Sequence, residues 1–472
     1  MVKIGLEIHG YLMTNEKLFC KCKAEHGLKY SKPNINICPI CCGMPGAKPL
    51  LPNKKAVDKV IQIALILGCK INGVYEPSAQ TQGKLNVKKP LGVLQWQRKH
   101  YDWPDLPKGY QNTISGTYAI PIGQKGKFSG IKIMGAHLEE DAAAWNPKTG
   151  EIDYNRSGSP LIEITTAPDF KNSEEVIIWL KQLMATLAYV KAIDKTAGIK
   201  ADVNISIPKG KRIEIKNINS LKNIKTAIEY EIKRQKKEIP KIQETRMFDE
   251  NKGTTIRMRT KEQAQDYRFI SEPDLPIIKI KKIRIEKIKS GLPETPYEKL
   301  EKLIKKHKIE KRYAEILTKK LDVVEFFEKI IIKTNPKLAV RWTTEELLSM
   351  LNYNKKELDD PEIDIKPEHF IELLKLIEKN KITELKAKEI LRKFIPKSFS
   401  PKRKITKHSK ISSKKDIEKI CKQVIKENPK AVKDYKAGKQ ESLNFLIGQV
   451  MKLSNKRADF KKVREIFERM LR

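Results

Sequence analysis

Residues 2–14 read VKIGLEIHGYLMT, and within them Val2, Ile4, Leu6 and Ile8 alternate without a miss with Lys3, Gly5, Glu7 and His9. Successive side chains of a strand point to opposite faces. The pattern therefore predicts a strand whose aliphatic face buries while Glu7 and His9 project together from the other. A solvated outer face of an antiparallel sheet produces the same alternation. The rest of the chain decides between an ordinary wet face and one built for chemistry.

In ADVNISI (201–207) Val203, Ile205 and Ile207 alternate with Asp202, Asn204 and Ser206, and in RIEIK (212–216) Ile213 and Ile215 alternate with Arg212, Glu214 and Lys216. PLIEITT (160–166) sets Glu163 between Ile162 and Ile164. A merely solvated face would be dominated by lysine, the commonest charged residue of the chain, whereas these faces collect carboxylates, an imidazole and an amide. AHLEED (136–141) adds His137, Glu139, Glu140 and Asp141, a density of acid that repels itself unless something positive sits among it. These strands predict a sheet floor that binds a hard cation. Oxygen-rich clusters suit magnesium, which usually arrives with substrate phosphates and keeps several waters.

The chain has 472 residues, enough for two or three domains with cores of their own. Lys and Arg number 96 against 58 Asp and Glu, a formal net charge of +38. Such an excess favours a polyanionic partner through counterion release, and nucleic acid is the leading candidate. A composition shaped by heat alone predicts balanced lysine and glutamate instead. No run approaches the roughly twenty apolar residues that span a bilayer, and the N-terminus is a strand pattern rather than a secretion signal. The expectation is a soluble, cytoplasmic protein. Seven cysteines, four of them crowded into one short segment, argue against a secreted disulfide framework.

Residues 1–290 interleave strand-like alternation with helical patterns and glycine and proline turns, which predicts one large α+β domain. Its helices are NKKAVDKVIQIALILG, SEEVIIWLKQLMATLAYVKAI with Ser173 as cap, and the segment after NINS. Helical patterns with scarcely a strand follow over 291–405. The breaker IPKSFSPKRKITKHSKISSKK reads as a flexible basic linker, and 406–472 as a small helical tail. From residue 401 onward there are 22 Lys and Arg against 8 Asp and Glu, which makes the tail the candidate nucleic-acid grip.

Cys20 and Cys22 form C-x-C, and Cys38 and Cys41 form C-x-x-C after an intervening loop. Two close pairs can close a tetrahedral thiolate site, and four cysteines without another ligand indicate structural zinc. Cys42 stands beside Cys41 and could replace it; Cys69 and Cys421 fall in helical patterns and read as core. The chain has no G-x-x-x-x-G-K-[ST] loop, no G-x-G-x-x-G and no G-x-S-x-G elbow. Hydrolytic amide chemistry is therefore not encoded in a recognisable form.

The segments GLEIHGYL, LFCKC, CPICCGMPGAKPLL, RKHYDWPDLPKGYQ, HLEEDAAAW, DYNRSGSPLIEI, ADVNISI, RIEIKNINS, QETRMFDE and DYRFISEPDLP occur in that order. Together they resemble the B subunit of the tRNA-dependent amidotransferases, which convert misacylated Glu-tRNA(Gln) or Asp-tRNA(Asn) into the cognate amide form. The resemblance covers nearly the whole chain, since NPKAVKDYKAGKQESLNFLIGQVMK resembles that family's small tail domain. It implies a catalytic cradle domain with an antiparallel-rich sheet and a zinc-binding insertion, then a helical domain and a tRNA-binding tail. It also implies an ATP-dependent carbon–nitrogen ligase that works with a separate amidase subunit, which supplies ammonia, and a small bracing subunit. EPDLPIIKIKKIRIEKIKSGLP runs straight through where a larger archaeal relative carries an inserted domain, which favours the heterotrimeric type.

Carried over residue by residue, the resemblance implies magnesium ligation by Glu7, His9, Glu140 and Glu214, with Asp202 a further catalytic candidate. Unbroken alternation from His137 would select Glu139, while a bulge at Gly135 would select Glu140, and Glu140 is the expectation. Two departures from the family pattern stand at Asp102-Trp103 and at Ala142–Trp145. A non-enzymatic zinc protein that binds tRNA would need only the basic tail and the cysteines. A free-standing ligase of a small acid would not need the tail. Which misacylated tRNA is used stays open.

Overall fold

The opening alternation becomes strand β1 (Lys3–Tyr11), in the interior of a large sheet. The computed structural model of the chain describes residues 1–25, 31–75, 94–100, 104–114, 120–194, 197, 199–260, 268–404, 411 and 413–471. Asp102 and Trp103, and 405–410 and 412 of the expected linker, lie outside the described residues. The chain forms two compact units, Met1–Glu294 and Thr295–Arg472.

In the first unit β1 is followed by β2 (Lys70–Ile71), β3 (Val74–Tyr75), β4 (Gln97–His100), β5 (Tyr110–Thr113), β6 (Gly123–Phe128), β7 (Ile131–Glu140) and β8 (Ala144–Trp145). Then come β9 (Ile152–Asp153), β10 (Pro160–Thr166), β11 (Ile199–Ser206), β12 (Ile213–Ile218), β13 (Glu244–Asp249), β14 (Thr254–Thr260), β15 (Ile270–Ser271) and β16 (Ile280–Lys281). Twelve of these, among the described residues, form one sheet in the order β14-β13-β12-β11-β1-β10-β7-β5-β4-β15, with β6 against β7 and β2 against β6. Its pairs are antiparallel except β12 with β13, so the class is α+β with an antiparallel-rich sheet.

Burial follows the alternation. Ile4, Leu6 and Ile8 bury in one core with Ile162 and Ile164 of β10 and Val203 and Ile205 of β11. Helices α1 (Lys54–Ile66), α2 (Ser173–Tyr189) and α3 (Leu221–Lys237) supply Val60, Ile61, Trp179, Leu180, Ile224 and Ile228 to that core. Asn53 and Ser220 cap α1 and α3. Asn172, not Ser173, caps α2: its extended backbone lets its side chain accept the Glu175 N–H, and Ser173 becomes a helical residue bonded to Glu229.

Register then fixes what shares the opposite face. His9 stands between Glu163 and Lys200, and Glu7 between Thr165 and Asp202. On β7 the pairing runs Thr165 to Gly135 but Thr166 to Ile133, so the extra residue is Met134 and the bulge precedes Gly135. From Gly135 the alternation through His137 to Glu139 is unbroken. Gly135 leaves room for the His137 ring, since a Cβ there would stand 2.3 Å from His137 Nε2 and the imidazole would have to shift.

The second unit is helical, from 296–305 to 460–471, with one π-helical stretch at Trp342–Leu347. Its last helices enclose a small core that includes Ile417, Cys421, Leu446 and Phe467. The first part of the expected linker is fixed rather than free: Ser398 Oγ accepts the Lys366 N–H at 2.9 Å and its own N–H donates to the Asp364 carbonyl. Thr383 also donates to the Lys456 carbonyl, which ties the tail to the preceding helices.

Candidate metal and phosphate site

The polar face of the sheet divides into two adjoining trios. Glu7, Asp202 and Glu214, from β1, β11 and β12, bring one carboxylate oxygen each within 4.8 Å of the others. Lys216 Nζ lies among them, 2.6 Å from Asp202 Oδ2 and 2.9 Å from Glu214 Oε1. Asn204 donates to Glu7 Oε1 at 3.1 Å, and Thr245 to Glu214 at 3.3 Å. Burial raises the Glu7 carboxyl above its ordinary value, against the pull of Lys216. Burial also works against the charge of Lys216, yet Asp202 and Glu214 hold its ammonium above the usual lysine range.

The second trio is His9, Glu139 and Glu163, whose ligand atoms also lie within 4.8 Å of one another. His9 Nε2 is 3.5 Å from Glu139 and 3.6 Å from Glu163. Burial disfavours the imidazolium, but the bond to Glu163 and the charges of Glu139, Glu163 and Asp202 outweigh it and push His9 up to about 9. Burial disfavours the Glu163 carboxylate too, and the bond to His9 still brings that group down to about 2. Burial first and Glu163 second raise Glu139. The neighbouring His137 is oriented by the Ile114 carbonyl, 2.9 Å from its Nδ1.

The structure thus brings together Glu7, Asp202 and Glu214, and sets His9 beside them with Glu139 and Glu163. It does not bring Glu140. The bulge at Met134 shifts the phase between Ile133 and Gly135, but no irregularity follows it on β7, so the alternation that puts His137 and Glu139 on the polar face turns Glu140 to the other side. There its carboxylate accepts the Asn112 N–H at 2.8 Å and meets Lys108. Nearby, Arg98 grips the buried Glu272 through two bonds of 2.8 Å, and the Tyr110 ring lies 4.3 Å from the Arg98 guanidinium and 5.1 Å from Lys108 Nζ.

Sequence reasoning placed Glu163 and Lys216 on the polar face but passed over both as site residues. The signal was the alternation itself, in which both are on the phase of the carboxylates. The Arg98–Glu272 pair left no such signal, since it joins residues far apart in the chain.

Cys20, Cys22, Cys38 and Cys41 place their four sulfurs within 4.8 Å of one another, and Cys42 is not of that group. Cys38 and Cys41 Sγ are 3.9 Å apart, which fits a tetrahedral zinc site with Zn–S bonds of about 2.3 Å. The Cys41 thiol is held well below the ordinary thiol range, by the bond from Cys20 first and then, against burial, by Lys17. Both carboxylate trios likewise offer the hard oxygen donors that suit magnesium.

A sheet face carrying two trios of candidate cation ligands, a cluster of four cysteines in the same unit and a helical unit after them make up the chain. Residues 2–286 match the family model described as "GatB/GatE catalytic domain", and residues 325–471 the one described as "GatB domain". The chain is 42% identical to the B subunit of the aspartyl/glutamyl-tRNA(Asn/Gln) amidotransferase of Methanocaldococcus jannaschii, over 100% of this chain and 98% of the relative. It is 40% identical to the corresponding protein of Methanopyrus kandleri, over 97% and 96%, and 38% identical to that of Methanothermobacter thermautotrophicus, over 99% of both. The chain belongs to the GatB family of amidotransferase B subunits.

Proposed function

We propose that this chain is the ATP-dependent subunit that activates and amidates the side-chain carboxylate of misacylated Glu-tRNA(Gln), Asp-tRNA(Asn) or both. The observation that carries the reading is the gathering of two trios of candidate cation ligands on one sheet face in a chain of this family.

A carboxylate resists ammonia because its leaving group would be an oxide. When the aminoacyl carboxylate takes the γ-phosphoryl group of ATP, ADP departs and an acyl phosphate forms. Ammonia then displaces phosphate to give the amide. Divalent cations bound at the trios would supply neutralisation of the phosphate charge. Glu7, Asp202 and Glu214 would hold one, and His9, Glu139 and Glu163 a second. Lys216 is a fixed cation of the floor, whereas the His9 imidazolium supplies positive charge between Glu139 and Glu163 only until a divalent cation takes its place. Asn204 and Thr245 orient Glu7 and Glu214 for this work.

The four cysteines serve as a structural zinc site. ATP is the cosubstrate. Ammonia comes from a partner amidase, which a small third protein steadies, and the basic tail after about residue 405 grips the tRNA. The described residues include no helix long and apolar enough to cross a membrane, in keeping with work in the cytoplasm.

Measuring ATP cleavage by the assembled enzyme, with and without misacylated tRNA, tests the reading. Cleavage that rises with misacylated but not with uncharged tRNA is expected. A rate independent of tRNA points to a ligase of small acids, and no cleavage at all to a binding protein.

A further inference from the structure

Lys17 is among the most completely buried large side chains of the protein, 1% exposed in the company of Trp96 and Phe170. Its Nζ lies 3.1 Å from the Tyr154 carbonyl oxygen and 3.3 Å from Cys41 Sγ. No described carboxylate makes an ion pair with it. A buried ammonium is retained only beside groups that answer its charge. The carbonyl offers a dipole, so the Cys41 sulfur is the one contact that can carry a full negative charge.

Four thiolates around a divalent cation leave a net charge of minus two by simple addition, and here they leave it in a partly buried place. Resting on the reading of the cysteines as a zinc site, we propose that Lys17 is a fifth, non-ligating member of that site. Its ammonium donates an N–H···S bond to the Cys41 thiolate and cancels part of the excess charge. The same ammonium holds the Tyr154 carbonyl, so it joins the cluster to the 154–158 segment. That segment is fastened from both sides: Ser157 Oγ donates to the Cys41 carbonyl at 2.8 Å, and the Leu18 N–H to the Gly158 carbonyl at 2.8 Å. Lys17 is thus a positioning residue. It touches no reacting group.

The test compares wild type with Lys17→Met, which keeps the bulk without the charge, and Lys17→Arg, which keeps the charge. Two readouts are used: zinc release to a chromogenic chelator, and the thiolate-to-metal absorption of the cobalt-substituted protein. Lys17→Met is expected to release zinc about 10- to 100-fold faster. Its cobalt band should move to lower energy, because the sulfur loses a hydrogen bond, and Lys17→Arg should stay close to wild type on both counts. A Lys17→Met protein that releases zinc at the wild-type rate with an unmoved band overturns the proposal. If Lys17→Met does not fold, Lys17→Gln carries the same comparison, and wild-type release from that variant has the same meaning. Metal analysis of the wild type separates the layers: absence of zinc removes the site reading itself, whereas zinc whose release ignores residue 17 removes only the role of Lys17.

Discussion

His9 Nε2 stands 3.5 Å from Glu139 Oε1, while the next residue, Glu140, turns to the opposite side of β7 and accepts the Asn112 N–H. The two acids therefore have separable tasks. Glu139→Gln is expected to leave the fold intact and lower tRNA-dependent ATP cleavage by at least about 100-fold at ordinary magnesium, since on the proposed reading it removes a cation ligand. Glu140→Gln should instead lower the melting temperature through its lost contacts with Lys108 and Asn112. Parallel assays of cleavage and melting check the assignment, and the opposite pattern would restore Glu140 to the floor.

Lys216 bridges Asp202 and Glu214 of the first trio, and its charge also acts on Glu7. Lys216→Met leaves those carboxylates unanswered, and the metal-free protein should lose about 2 kcal/mol of stability. Millimolar manganese should return most of it by taking up the vacated charge. Denaturant melts with and without the ion measure both effects.

His9 carries a pH signature. Its value in the folded protein, about 9, lies above the ordinary 6.5, so its ion pairs contribute stability that is complete below about 6.5. That contribution is lost as the pH climbs through 9. Metal-free protein should therefore melt at progressively lower temperature over this window. Cation binding at His9 displaces the imidazole proton, so magnesium affinity should rise over the same range. Thermal melts at fixed ionic strength, in chelator and in magnesium, show whether it does.

The tail's grip on tRNA is testable without removing it. Lys419, Lys422, Lys426 and Lys430 are exposed on or beside one helix, and changing them to glutamine should raise KM for misacylated tRNA. The slope of log affinity against log salt should fall by about 0.7–0.9 for each lysine that meets a phosphate. The chemical step at saturating tRNA should change little, because the trios are untouched. Filter binding across a salt series gives the slope.

The strands of the floor were legible because burial imposes a period of two, and a one-residue error would have turned every side chain over. The same rule would have given Glu139 had the bulge been placed correctly, but a glycine marks a bulge without saying on which side of itself the extra residue falls. Ser173 failed as a cap for a related reason: Asn172 caps equally well, and only the backbone angles decide. The gathering of the four cysteines was readable from their spacing, whereas Lys17 beside Cys41 and Arg98 beside Glu272 exist only after the chain has folded.

Everything proposed for the reaction depends on the polar face of β1 being where the aminoacyl carboxylate is activated. The most direct measurement is ADP formation by the assembled Glu7→Gln enzyme at saturating misacylated tRNA, with tRNA binding measured in the same preparation. Unchanged tRNA binding is expected, with a rate reduced at least about 100-fold by the loss of charge stabilisation worth several kcal/mol. Near-normal ADP formation by that variant would contradict the assignment, and the site of phosphoryl transfer would have to be sought away from this face.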